Sequence, residues 1–212
     1  MNIVILLYPH FAATDALGPY EVLARLPGAR VRFVAAQAGP VVADTGMLTV
    51  LAETSYDSIE KADVLVVPGA PNRALPLQDS HLLEWLRRID QKTTWTCSVC
   101  TGALILGAAG LLSGKRATTH WSCHSELSRF AAQPVSERVV FDGKLVTGAG
   151  VTAGYDLALR LAAQLAGPLV AQAIQLGLEY APEPPFDCGR PDRAPPEVLA
   201  ALTAAMSSEA AT

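Results

Sequence analysis

Charge is scarce in this chain: Asp, Glu, Lys and Arg supply 17% of its 212 residues against 50% hydrophobic, and the formal net charge is only -4. Polarity this low excludes a disordered chain, and the apolar half is enough to fill a three-layer core. No basic cluster occurs, so nothing would hold a phosphate backbone and no nucleic-acid partner is expected, whereas small neutral substrates remain open. An apolar run near the roughly 18 residues of a membrane span is also missing. Before Ile3 there is neither a basic n-region nor a small-residue cleavage site, so a soluble, cytoplasmic chain with no membrane partner is expected. The four cysteines are irregularly spaced, which in that compartment points to thiols rather than structural disulfides. No Ser/Gly-rich or charged linker and no internal repeat divides the sequence. A single domain over 1–212 is therefore expected, with 180–212 as a C-terminal extension packed on it.

What is present centres on Thr93 to Gly110, TTWTCSVCTGALILGAAG. Thr93 to Thr96 are β-branched or aromatic, as a strand prefers, while Ala103 to Ala109 lacks a β-branched run and suits a buried helix. Between them, Ser98-Val99-Cys100-Thr101-Gly102 fits small-x-nucleophile-x-small. This is the cysteine counterpart of the G-x-S-x-G elbow, in which a strained turn pushes the nucleophile out of the sheet. A thiol there sits at a helix N-terminus, whose dipole and unpaired N–H groups favour the thiolate. Three other readings compete. A lone cysteine in apolar surroundings is usually inert packing. Cys97 and Cys100 form a C-x-x-C, but the first cysteine closes a strand instead of opening the helix as a dithiol redox site requires. Adding His120, Cys123 and His124 gives zinc-type spacing, yet a buried helix and turn intervene where a short ligand-bearing finger would be needed, so no metal is expected.

Ile3 to Leu7, Val31 to Ala36 and Val64 to Val67 are continuous apolar runs of the kind shown by parallel strands buried on both faces. The helix between the first two has Asp15 as its N-cap candidate, Gly18-Pro19 in its first turn and Pro27-Gly28 at its end. A hairpin or edge excursion over Val41 to Leu51, a helix over Asp79 to Asp90 and a short strand near Arg116 to Thr119 are expected, then a helix near Ser122 to Phe130. Two strands around Asp142-Gly143 follow, with helices over Ala153 to Leu165 and Leu169 to Leu178, a Pro-rich segment over Tyr180 to Pro196 and a short Ala-rich terminal helix. In a parallel sheet, ligands bind beyond the carboxyl ends of the strands, which marks Tyr8 to Asp15, Pro68 to Asn72 and Cys100. Gly69 is either an ordinary turn residue or a close-approach point for backbone N–H groups; Asp15 is either a helix cap or a proton carrier beside a thiol; His120 is either a core histidine or a site residue.

Taken together, Asp15-Ala16-Leu17-Gly18-Pro19-Tyr20-Glu21, Val67-Pro68-Gly69-Ala70, Ser98 to Gly102, Ala117-Thr118-Thr119-His120-Trp121 and Thr147-Gly148-Ala149-Gly150-Val151-Thr152 resemble the ThiJ/PfpI superfamily. The resemblance extends to Ile174-Gln175-Leu176 and Glu179 to Phe186. It implies a three-layer, flavodoxin-like α/β fold and a cofactor-free homodimer of the branch that hydrates isocyanides to N-substituted formamides. It further implies Cys100 as nucleophile, Asp15 as acid/base, a Thr101 hydroxyl in the site, and Gly69, Ala70, His120 and Val151 around a small apolar isocyanide. Peptidase relatives resemble this elbow but carry histidine where Thr101 stands. Glyoxalase-like relatives usually have glutamate where Asp15 stands. The sensor domain of AraC-type regulators shares the Asp-x-x-Gly-Pro and Thr-His-Trp patterns but continues into a basic helix-turn-helix, for which Pro195 to Met206 leaves no room.

Overall fold

The computed structural model describes residues 1–71 and 74–209, apart from the side chains of 74, 75 and 207–209, so Asn72 lies outside the described residues. In chain order the elements are β1 (Asn2–Leu6), α1 (Ala13–Leu23), β2 (Arg30–Ala35), β3 (Gly39–Val42), β4 (Thr49–Ala52), β5 (Thr54–Ser55) and β6 (Val64–Val67). They continue with α2 (Ala74–Gln78), α3 (Ser80–Asp90), β7 (Trp95–Val99), α4 (Gly102–Ala108), β8 (Arg116–Ala117), β9 (Gln133–Pro134), β10 (Val139–Asp142) and β11 (Leu145–Gly148). Three helices follow, α5 (Ala153–Ala166), α6 (Pro168–Gly177) and α7 (Pro196–Glu209). Two compact units contain them: Met1–Leu178, and Glu179–Thr212 with α7 as its helix.

In the first unit a seven-stranded sheet has the order β10-β11-β7-β6-β1-β2-β5. Every neighbouring pair is parallel except β10–β11, the hairpin that turns at Gly143 with φ +63°. The central strands are apolar because both faces are covered: Val64, Leu65, Val66 and Val67 are all fully buried, as are Ile3, Val4, Ile5 and Leu6. Each such side chain contributes about 1.5–3 kcal/mol relative to exposure. Right-handed crossovers set the layers. The β1-α1-β2 and β6-α3-β7 connections step in opposite directions along the sheet, which puts α1 and α3 on opposite faces. On α1's side α5 packs closely, with Gly18 against the Tyr155 ring and Gly154 against Pro19. The result is the three-layer, mostly parallel α/β fold that the sequence implies.

Local differences from expectation have local causes. The strand expected over Thr93 to Thr96 runs instead from Trp95 to Val99, because Thr93 finishes the α3 turn by donating its N–H and hydroxyl to the Asp90 carbonyl at 3.1 and 2.9 Å. The helix expected over Asp79 to Asp90 is α3, with Asp79 as its N-cap, its Oδ1 accepting the Leu82 N–H at 3.0 Å. The helix near Ser122 to Phe130 is a 3₁₀ segment over Trp121–Phe130, capped by the His120 side chain and stopped by Ala131 at φ +55°. Asp15 is not an N-cap. Helix α1 begins at Ala13, three residues before a cap at Asp15 would start it, with Ala12 as its uncapped N-cap residue, so Gly18-Pro19 falls inside the helix and beyond its first turn.

Candidate active site

Four adjacent strands, β11, β7, β6 and β1, deliver their carboxyl ends to one place. From them come Ala149 to Val151, Cys100 with Thr101, Pro68 to Ala70, and Tyr8 leading to Asp15. Cys100 stands between β7 and α4 with φ +56°, a left-handed conformation that costs a non-glycine residue on the order of 1 kcal/mol. Backbone bonding holds it there. Its N–H is shared between the carbonyls of Gly148 and Ala149 at 3.1 and 2.7 Å, and its carbonyl accepts the Thr119 hydroxyl at 2.7 Å. The elbow's small flanking residue is also required by contact, since a Cβ on Gly102 would lie 2.2 Å from the Val67 carbonyl oxygen.

Asp15 is fully buried under the β6 exit. Two successive peptide planes of that exit are each pinned on both edges. The Pro68–Gly69 plane receives the Tyr8 hydroxyl on its carbonyl at 2.8 Å and gives its N–H to Asp15 Oδ2 at 2.9 Å. The Gly69–Ala70 plane accepts the Ala12 N–H at 2.8 Å and gives its own N–H to Thr101 Oγ1 at 2.8 Å. Thr101 Oγ1 donates in turn to the Ala70 carbonyl at 2.9 Å, so this hydroxyl is committed to the turn on both sides. Gly69 is glycine for space: a Cβ there would sit 2.4 Å from Thr101 Oγ1, 2.5 Å from Thr101 N and 3.0 Å from Asp15 Oδ2. Gly69→Ala should therefore force these groups apart and lower stability by about 1–3 kcal/mol in urea unfolding, whereas a parental midpoint would contradict the close fit.

The electrostatics follow from burial. Desolvation raises the Asp15 carboxyl from 3.8 to about 7, against the pull of the Gly69 N–H and the Cys100 thiol, and Asp44 adds repulsion. Among the described residues, Asp15 Oδ1 is buried with no hydrogen-bond partner. The thiol of Cys100 moves opposite to the sequence expectation: desolvation, then the Asp15 charge, push it up, while the N–H groups of Thr101 and Val151 pull it down. The helix end does act in the expected direction, but at 7% exposure the cost of burying the charge is larger. Cys97 is fully buried within β7, and desolvation alone pushes its thiol up. All four cysteines are free thiols, and no group of three His, Cys, Asp or Glu among the described residues converges as a metal site.

Of the residues singled out by sequence, Cys100, Asp15, Thr101, Gly69 and Ala70 form one connected cluster, and Val151 joins it through its backbone N–H. His120 reaches the same loop from outside: its ring Cδ2 would touch a Cβ on Gly150 at 2.9 Å, and its Nδ1 lies 2.8 Å from Ser122 Oγ. Three further participants have no role of their own in the sequence reading, which marks Tyr8 only as the start of the segment Tyr8 to Asp15 and Thr119 only within a motif. Tyr8 is buried and close enough to Asp15 and Cys100 for both charges to raise its own pKa after desolvation. Asp44 adds like charge to Asp15, and Thr119 fixes the Cys100 carbonyl. Tyr8 was findable, as it lies two residues past β1 in the region where ligands of parallel sheets bind. No local feature marks Asp44.

Comparison with known proteins places these observations. The chain is similar to the isonitrile hydratase of Pseudomonas putida, with 47% identity over 94% of this chain and 87% of that protein. It is also 34% identical to the HTH-type transcriptional regulator CdhR of Pseudomonas aeruginosa over 78% of this chain, spanning only 51% of the regulator. The crystal structure of a THiJ/PfpI family protein from Pseudomonas syringae superposes with a TM-score of 0.93 at 37% identity, covering 98% of this chain and 86% of that one. Residues 1–164, which include every member of the cluster around Cys100, match the DJ-1/PfpI family, and the chain belongs to it.

Proposed function

We propose that this chain is a cofactor-free, cysteine-dependent isocyanide hydratase that converts R–NC and water into an N-substituted formamide, and that it works as a cytoplasmic homodimer. One observation carries the mechanism. A fully buried carboxyl, Asp15, stands beside the Cys100 thiol, has its pKa raised to about 7, and has no hydrogen-bond partner on Oδ1 among the described residues. The likeness to the Pseudomonas putida isonitrile hydratase supplies the substrate class.

In this reading the Asp15 carboxylate takes the Cys100 thiol proton as sulfur attacks the terminal carbon of the isocyanide, and delivers that proton to the same carbon. The C–S and C–H bonds formed give a thioimidate, R–N=CH–S. Water then adds to that carbon with one of its protons going to nitrogen; Asp15 takes the other from the hydroxyl as the carbonyl forms and the C–S bond breaks, and returns it to sulfur, which releases the thiol and R–NH–CHO. Atoms balance as R–NC plus H₂O. The Thr101 and Val151 N–H groups stabilise the developing sulfur charge, and Gly69, Ala70 and His120 frame the substrate. Because the base form of Asp15 starts the cycle, kcat/KM should rise with pH through about 7, the value to which burial raises this carboxyl.

The deciding experiment is incubation with an aryl isocyanide in excess chelator, following formamide by mass spectrometry. Turnover that needs added zinc would exclude the mechanism, and absence of formamide would exclude the activity. The likeness to CdhR gives the second reading, a ligand-sensing domain. Saturable binding of small ligands without turnover would favour it.

A further inference from the structure

We propose that Tyr8 is a positioning residue for the reaction at Cys100, acting through the Pro68–Gly69 peptide; this rests on the hydratase reading above. The Tyr8 hydroxyl donates to the Pro68 carbonyl at 2.8 Å, and the N–H on the far edge of the same peptide donates to Asp15 Oδ2 at 2.9 Å. A trans peptide is planar, so the direction of its C=O fixes the direction of its N–H. Tyr8 therefore aims the backbone hydrogen bond that holds the Asp15 carboxylate. Polarisation acts in the same direction, because a donor on the carbonyl makes the N–H a stronger donor to the carboxylate.

The surroundings leave Pro68 dependent on this bond. The residue is buried and has no N–H of its own, and its carbonyl faces Gly102, where a Cβ would lie 2.9 Å from the oxygen. A buried carbonyl needs a donor, and the phenol supplies it. Tyr8 is 7% exposed, and burial with the charges of Asp15 and Cys100 keeps its proton on well past the usual tyrosine range. The phenol thus stays a neutral donor across the range near 7 in which the Asp15 carboxyl titrates.

Two predictions separate this role from packing. In Tyr8→Phe the ring remains but the donor is gone, so the Gly69 N–H holds Asp15 less well. The carboxyl then titrates at higher pH, and the acid limb of kcat/KM moves upward. Misalignment should lower kcat about tenfold with KM within about twofold. The same upward move should appear in the pH dependence of Cys100 alkylation by iodoacetamide, which needs no isocyanide. Parental pH profiles and kcat in Tyr8→Phe, even with a lowered melting temperature, would overturn the proposal. If the parent fails to hydrate isocyanides, the hydratase reading falls, while the alkylation profile still decides the role of Tyr8. Should Tyr8→Phe not accumulate as folded protein, 3-fluorotyrosine placed at position 8 keeps the ring and strengthens the O–H donor. That variant should move the alkylation profile downward, and an unmoved profile would equally overturn the proposal.

Discussion

Cys100→Ser is expected to lose isocyanide turnover by on the order of 10³-fold or more while the protein stays folded. Serine matches cysteine closely in size, and the bonds that set the φ +56° turn are all backbone bonds of residue 100, to Gly148, Ala149 and Thr119. What changes is acidity. Burial and Asp15 already push the Cys100 thiol up, and a hydroxyl in the same surroundings would ionise far less readily. Cys97→Ser is the matched control. Its thiol is fully buried in β7, and desolvation is what pushes it up. That variant should lose little activity. Progress curves for the two variants at matched melting temperatures make the comparison, and equal losses would shift the chemistry from a single thiol to a C-x-x-C pair.

Asp15→Asn should combine a loss of about 10²-fold or more in kcat with a gain in stability. An amide can still accept the Gly69 N–H but cannot relay a proton. The stability gain follows from linkage. Asp15 has its carboxyl raised from 3.8 to about 7 on folding, so above pH 3.8 the unfolded chain is ionised while the native state resists ionisation. Stability contributed by the neutral carboxyl is complete below 3.8 and lost progressively as pH rises to about 7, a difference of roughly 4 kcal/mol at most. Asparagine removes this penalty, so the variant should melt several degrees above the parent at pH 8 and near it at pH 4. A variant less stable than the parent at pH 8 would mean that Asp15 is not strained by its burial. Wild-type kcat would strip it of its role in proton transfer.

The sheet was legible because its strands are buried on both faces: the run Val64 to Val67 coincides with β6 residue for residue, and Gly143 marks the β10–β11 turn. Cys100 was legible for a related reason, since a left-handed cysteine needs small residues beside it and Ser98 and Gly102 are visible in any local window. Partners distant in sequence were not. A short polar residue ahead of an apolar stripe reads as a cap, so Asp15 was placed at the start of α1. The actual start, at Ala13, is set by the Ala12 N–H reaching the Gly69 carbonyl, and the Asp15 side chain is spent on Gly69, 54 residues away. Tyr8 finds its partner at a separation of 60 residues. The thiol's acidity failed by the same route. Its helix end is local and its burial is collective, so only the smaller effect could be seen in the sequence.

The gathering of four strand ends around Cys100 also bears on the order of events during folding. Its neighbours are drawn from residues 8–15, 68–70, 119 and 148–151, so apart from Thr119, 19 residues away, loops of tens of residues must close before the thiol has them. Contacts of that separation form late. Until then Cys100 is a solvated thiol with no carboxyl beside it. The chain on its way to the native state therefore carries a cysteine open to oxidants in solution, and closing the sheet at once shelters that sulfur and equips it.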